Sequence, residues 1–485
     1  MMSISQSLSN ALSGLNAASR MAEVVASNTS NALTEGYARR EIRLGAQVLG
    51  GDGAGVRVLS VDRMVNESLR SDLRLADAAV GNASLRSDFL TQLEGWLGTP
   101  EDPNSLSQKL ADFEATLIEA SSRPDSNERL AAVLDSADAI ATHLNTVSRS
   151  LQQSRISADQ QIADQVAFLN ESLAQIDELN ATILSERASG HDANALLDQR
   201  QALVDQVSQI VPVRQVAREN DQIALFTTGG AVLLEGNPAQ IGFTPTGIIT
   251  ADMTQDTGAL SGLTLNGMAI SSADDRVMGG GTLGALFAIR DEIAPEAQSQ
   301  IDAYARDLIT RFSDPAVDPT LPLGAPGLFT ENGGPLDPLN EIGLASRIKI
   351  NGLADPAQGG ALWRLRDGLG STAPGPVGNS EQISALADAL RQETLPASGD
   401  FGPSLRSSSG LAADMLSRVS SARQSAQSRE TFASTRHETL NTMALSEGVD
   451  TDQEMQNLLR VEELYAANAR VIQTVDALIQ QLLEL

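Results

Sequence analysis

The sequence contains no cysteine among its 485 residues. No disulfide can staple this fold, and thiols say nothing of its compartment. Aromatic residues are scarce, at 3%. Leu, Ile, Val and Ala must therefore fill any core, which suits helix–helix packing better than a thick sandwich. Positive charge is short as well: 34 Lys and Arg stand against 62 Asp and Glu, a formal net charge of −28. That balance repels phosphate backbones and anionic lipid surfaces, so no nucleic-acid partner is expected. Lysine occurs only at Lys109 and Lys349, a bias for which we have no physical account. No run of about 18 apolar residues is present, so no membrane insertion is expected. Residues 1–26 carry Ser, Gln or Asn every few positions and have no basic start, which excludes the pattern of a cleaved secretory signal.

What the sequence does have is helical periodicity at both ends. Ile4, Leu8, Ala11, Leu15, Ala18, Ala22 and Val25 alternate spacings of 4 and 3, a heptad seam over residues 3–27. Leu458, Val461, Tyr465, Asn468, Ile472, Val475, Ile479 and Leu482 repeat the pattern over residues 451–485, and Leu464, Val471, Leu478 and Leu485 add a third apolar row. Three rows per heptad exceed what a two-stranded seam needs. Such a helix calls for contacts on more than one side.

Between the ends, residues 42–61 read as extended, with Gly45, Gly50, Gly51, Gly53 and Gly55 before alternating valines. Residues 62–210 read as helical. Ser105 with Gln108 has capping-box spacing. Short Val/Ile/Leu/Phe runs between turn residues over 212–280 predict a small β insert, and a helix is expected from Leu283 to Phe312. Residues 313–375 are rich in Pro and Gly. The fold class is thus mainly α with inserted β domains: paired terminal coiled-coil helices, a long helical-bundle middle domain and an outer small β domain. The expected boundaries are 1–41 with 446–485 for the terminal core. The helical middle domain takes 42–211, 281–312 and 376–445. The β insert is 212–280, and 313–375 is an outer insert.

Catalytic signals are thin. Gly279-Gly280-Gly281-Thr282-Leu283-Gly284 fits the dinucleotide fingerprint G-x-G-x-x-G, but no repeated strand–helix–strand pattern surrounds it. A glycine hinge from a β insert into a helix explains it as well. Neither lysine lies in a phosphate-loop setting. His143, His191 and His437 are scattered and read as solvated positions, not metal ligands. Asp450, Asp452 and Glu454 alternate as in a calcium loop but lack its glycine and distal glutamate. They read instead as acids favouring a helix dipole. No catalytic residue, cofactor or metal is expected; a nucleotide-dependent enzyme built on Gly279–Gly284 is the rival of a different class.

Asn28, Asn31, Thr34, Gly36, Tyr37 and Arg39, following the Ala11-Leu12-Ser13-Gly14-Leu15 helix, resemble the signature of the bacterial flagellar rod, hook and hook-associated proteins. Many relatives carry proline where Glu35 stands. The run Glu447-Gly448-Val449-Asp450, then Asn457-Leu458-Leu459, Tyr465, Asn468-Ala469-Arg470-Val471-Ile472 and Leu482-Leu483, looks like the matching end. Ala195-Leu196-Leu197-Asp198-Gln199-Arg200, Gly284-Ala285-Leu286 and Arg290-Asp291 resemble the hook–filament junction branch of that family.

The resemblance implies a structural subunit, exported unfolded through the type III apparatus and polymerised through its paired terminal helices. It implies assembly residues at Ile4, Leu8, Leu15, Val25, Asn31, Thr34, Gly36, Tyr37 and Arg39, and at Leu458, Val461, Tyr465, Asn468, Arg470, Ile472, Val475, Ile479 and Leu482. It implies as partners further copies of the chain in a ring or helical array, the hook protein, a second junction protein, and an export chaperone on the C-terminal helix. The location implied is extracellular, on the flagellum, and cytoplasmic before export. Another axial component, whether hook, rod or second junction protein, is the rival reading within the family.

Overall fold

The computed structural model describes residues 4–34, 36–49, 52–271 and 277–483. Of the residues singled out above, Glu35, Gly50, Gly51 and Leu485 lie outside the described residues, as does the side chain of Leu482. The chain is mainly helical, with small antiparallel sheets inserted. Contacts divide it into two compact units: residues 1–80, 168–240 and 433–485 form the first, and residues 81–167 and 241–432 the second.

The elements begin with α1 (Ile4–Ser30), β1 (Arg40–Leu49), β2 (Asp52–Arg63), α2 (Glu67–Leu97), α3 (Leu106–Ser122), α4 (Asn127–Ala188) and α5 (Asn194–Ile210). Short strands follow: β3 (Val213–Ala217), β4 (Ile223–Thr227), β5 (Val232–Glu235), β6 (Asn237–Pro238), β7 (Ile241–Gly242), β8 (Leu263–Leu265) and β9 (Met268–Ile270). Next come α6 (Gly281–Ala288), α7 (Ala294–Phe312), β10 (Phe329–Glu331), α8 (Leu344–Arg347), β11 (Ile348–Ile350), α9 (Arg364–Asp367), α10 (Glu381–Arg391), α11 (Ser408–Ser446) and α12 (Thr451–Leu483). The helices α2, α4 and α11 contribute residues to both units.

In the first unit α1 packs along α12 and against the β1–β2 hairpin. The hairpin register runs from Arg40 opposite Arg63 to Leu49 opposite Asp52. Strands β3 to β6 form one four-stranded sheet in sequence order. Asn180 on α4 holds its entry: the side-chain amide donates to the Ile223 carbonyl at 3.1 Å and accepts from the Ile223 amide at 3.3 Å. Both partners are buried, so these bonds satisfy backbone groups that water cannot reach.

The second unit draws on its few aromatics. Phe113, Phe312 and Phe329, from α3, α7 and β10, are fully buried with ring centroids 5.1–6.0 Å apart, mostly edge to face as ring quadrupoles prefer. Its other anchor is a buried charge cluster. Arg290 and Asp159 are both fully buried and paired at 2.5 Å. Arg290 also pairs with Asp291 at 2.8 Å, donates to the Ser261 carbonyl at 2.9 Å, and lies over the rings of Phe243 and Phe287. Arg155 donates to the carbonyls of Arg290 and Thr250 at 2.8 and 3.0 Å, and to Met253. Every one of these donors meets an acceptor, as a charge held out of water requires.

Three expectations change here. The helix from Leu283 to Phe312 is broken by a π-turn at Ile289–Ile293, and that turn presents Arg290 and Asp291 to the cluster. Residues 212–280 do not make one sheet: β3–β6 belong to the first unit, and a separate three-stranded sheet, β7–β9, to the second. The cause is the cluster, which ties the 243–261 segment to α4 and the π-turn; periodicity carries no trace of it. Finally, His143 is not solvated. It is half-buried on α4, beside Lys109, and bonded to the Leu97 carbonyl. Burial, with Lys109 adding to it, lowers its pKa to about 4.

Candidate assembly site

The first unit brings the two terminal helices together as an antiparallel pair: Gly14 lies opposite Asn468, while Val25 and Val461 line the same groove. On α1 the buried row is Ala11, Ala18 and Val25, seven residues apart; on α12 it is Val461 and Val475, with half-buried Asn468 midway. Small residues on α1 let the backbones approach closely. At Gly14 a Cβ would lie 2.6 Å from Asn468 Oδ1 and 2.7 Å from Nδ2, so any side chain here must displace the Asn468 amide. The Asn468 amide is itself oriented by donating to the Leu464 carbonyl at 2.9 Å.

One helix pair buries only one row well. Ile4, Leu8, Leu15, Ile472 and Ile479 are half-buried, and Leu458 and Tyr465 are exposed. The third row is open: Leu464 is 49% exposed, Val471 43% and Leu478 45%. Arg470 is exposed beside it.

The signature residues after α1 lock the chain's turn into the hairpin. Asn28 is buried and binds Arg40 at both backbone groups, accepting from its amide at 3.0 Å and donating to its carbonyl at 2.9 Å. Tyr37 donates its hydroxyl to Asn28 Oδ1 at 2.9 Å, and the Arg40 guanidinium lies 5.0 Å over the Tyr37 ring. Half-buried Asn31 donates to the Ser27 carbonyl at 2.9 Å, and exposed Thr34 donates to Asn31 Oδ1 at 3.3 Å. Gly36 has φ +79°, in the left-handed region where a side chain costs about 1 kcal/mol or more. Arg39 pairs with Glu454 at 3.0 Å, and Glu454 is almost fully buried. The calcium-like acids are thus accounted for: Asp450 Oδ1 caps α12 by accepting from the amides of Asp452 and Gln453 at 2.9 and 3.1 Å, and Glu454 binds Arg39. Among the described residues no group of side chains could hold a metal ion.

The Leu196–Arg200 stretch ties this turn to α5. Asp198 pairs with Arg40 at 3.2 Å and Arg63 at 2.8 Å, bridging both hairpin strands. Arg200 donates to Asn180 Oδ1 at 2.7 Å and the Asp221 carbonyl at 2.6 Å; burial pushes its pKa down to about 10. Sequence reasoning found these residues by resemblance but not their partners. It missed Ser13, whose hydroxyl accepts from the Val56 amide at 3.1 Å and seats the hairpin on α1. No spacing rule connects Asp198 to Arg63.

At the glycine-rich turn, Gly280 has φ +82° and Gly281 +58°. The turn is buried at Met278 and Gly279, and Asn82 donates to the Gly281 carbonyl at 2.9 Å. It serves to start α6.

The sequence is similar to flagellar axial proteins. Residues 90–315 match the family model described as flagellar hook-associated protein FlgK helical domain, and residues 444–485 match flagellar basal body rod FlgEFG protein C-terminal. Flagellar hook-associated protein 1 of Bacillus subtilis is 24% identical over 98% of this chain and 97% of its own length. The Escherichia coli protein of the same name is 25% identical over 64% of this chain, which spans 57% of that relative. A solved structure of the flagellar hook junction protein FlgK from Burkholderia pseudomallei aligns over 54% of this chain and 46% of its own, with 21% identity and a TM-score of 0.44. The helix pair and its signature turn belong to a structural protein of the flagellar axis, not an enzyme. Within that class the chain is a structural protein of the hook–filament junction, similar to the hook-associated protein 1 family.

Proposed function

We propose that this chain reaches the junction by export through the flagellar type III apparatus and polymerises there through the α1–α12 pair. Its partners are then further copies of itself in a ring or helical array, the hook protein on one side and a second junction protein on the other. A chaperone covers α12 in the cytoplasm before export. The observation that carries this reading is the third apolar row. Leu464, Val471 and Leu478 are left open by α1, and full burial of such a side chain is worth about 1.5–3 kcal/mol. Neighbouring subunits supply that burial, and a solvated monomer does not.

The test is a charge in the row. In Val471→Asp the free chain loses little, because the side chain already meets water. In the packed array the carboxylate is desolvated without a partner, at a cost of several kcal/mol per subunit. The variant should keep the wild-type thermal midpoint within about 2 °C, as an exposed site implies, yet fail to enter flagella. Ile472→Asp should do the same with a somewhat lower midpoint. Normal incorporation of Val471→Asp would remove this row from the interface.

A further inference from the structure

Leu33 is 102% exposed, on a turn that is braced from below. The Asn31 amide donates to the Ser27 carbonyl, the Thr34 amide donates to the Asn31 carbonyl at 2.9 Å, and the Tyr37 amide donates to the Thr34 carbonyl at 3.2 Å. The signature residues therefore fix a bare leucine in space. A mobile loop gains nothing from such bracing, whereas a knob does, because its ordering cost is met before contact. The same unit carries a matching hole. Between α1, β1 and α12 lies a groove with about 910 Å³ of empty space open to solvent. Val25 and Val461 form its buried floor, Met21, Val24, Ile42 and Leu464 its apolar walls, and polar and charged side chains, Arg39, Arg40, Glu41, Asn457 and Arg460 among them, line the rest. Leu33 cannot fill its own groove, since the brace holds it in solvent.

We propose that Leu33 of one copy inserts into the Met21–Val25/Val461–Leu464 groove of the next copy. Knob and hole are different surfaces of one unit, so the contact is heterologous and propagates head to tail into a closed ring or a helical row. The inference rests on the polymerisation reading above and names the contact that drives it.

The absence of cysteine makes the test clean. Met21 lies nine residues before the end of α1, about 13 Å along the axis at ~1.5 Å per residue, and Leu33 lies beyond that end. A disulfide needs Cα atoms within about 7 Å, so cysteines at 21 and 33 can join only different copies. Flagella from a strain whose only copy is the M21C/L33C double variant are oxidised and run without reductant. A ladder of covalent multimers is expected, with M21C alone or L33C alone giving no species above a dimer. Absence of the ladder in flagella that carry the chain overturns the proposal. A second arm does not depend on cysteine. Leu33→Asp should cut the amount of chain incorporated at least tenfold without moving the thermal midpoint of the purified protein, and Leu33→Met should restore it. Leu33→Asp incorporated at the wild-type level overturns the proposal. Antibody labelling of the wild-type strain separates the two readings. Wild-type chain missing from flagella sinks polymerisation itself, and wild-type chain present with Leu33→Asp unaffected sinks only the knob.

Discussion

At the scale of the residue, charges in this chain are held by specific partners, and two buried groups make stability depend on pH in opposite directions. His143 has its folded pKa lowered to about 4 by burial and then by Lys109. The unfolded chain therefore binds its proton first, and the stability this group contributes is present above about pH 6.5 and lost as pH falls toward 4. Between pH 7 and 5 the loss amounts to about 1–2 kcal/mol after allowance for partial exposure. Asp302 runs the other way. Burial raises its pKa to about 6, against three donors that favour its charge: the amides of Gly343 and Ala345 and the side chain of Gln298. Its contribution is present below about pH 4 and lost as pH rises through 6. Urea midpoints of the wild type and His143→Gln should therefore converge as pH falls from 7 to 5. A gap between them that is constant with pH would mean that His143 does not titrate in this window.

At the scale of the element, the α1–α12 pair stands on a close approach at one glycine. Gly14→Val would drive a branched side chain into the Asn468 amide, where even a Cβ is too near, and β-branching also leaves few rotamers on a helix. The pair should part at that level, costing about 1–3 kcal/mol as overpacking does. Hydrogen exchange should then speed up in α1 and α12 and stay unchanged in α3 and α7. Equal protection of α12 in both proteins would show that the helices are held by something else. The two helices themselves were legible in the sequence, because heptad spacing and acids at the start of α12 are local signals. So were α3, opened by Ser105 accepting from the Gln108 amide at 3.1 Å, and the extended character of β1 and β2, though not their pairing as a hairpin. The capping box is only half made, since Gln108 turns to Asp112 instead of back to Ser105. What sequence could not reveal is long-range pairing. Asp198 with Arg63, Glu454 with Arg39, and Arg290 with Asp159 join residues 131 to 415 positions apart, and no periodicity encodes a partner at that distance. For the same reason the 212–280 segment read as one insert: its strands are local, but the Arg155 and Arg290 contacts that claim its second half are not.

At the scale of the whole molecule, the chain leaves apolar surface open along its C-terminal helix, the surface that the proposed array would cover. A net charge of −28 keeps free copies apart through mutual repulsion, and the terminal helices present apolar rows for a neighbour. No helix among the described residues is long and apolar enough to cross a membrane. This chain is a structural protein of the point where the hook meets the filament. Immunogold labelling of detached flagella with antibody raised against the chain tests that claim most directly. Gold is expected in a short band at the distal end of the hook, lost in a strain lacking the chain. Gold spread along the filament, or absent from intact flagella that depend on this chain, would contradict it.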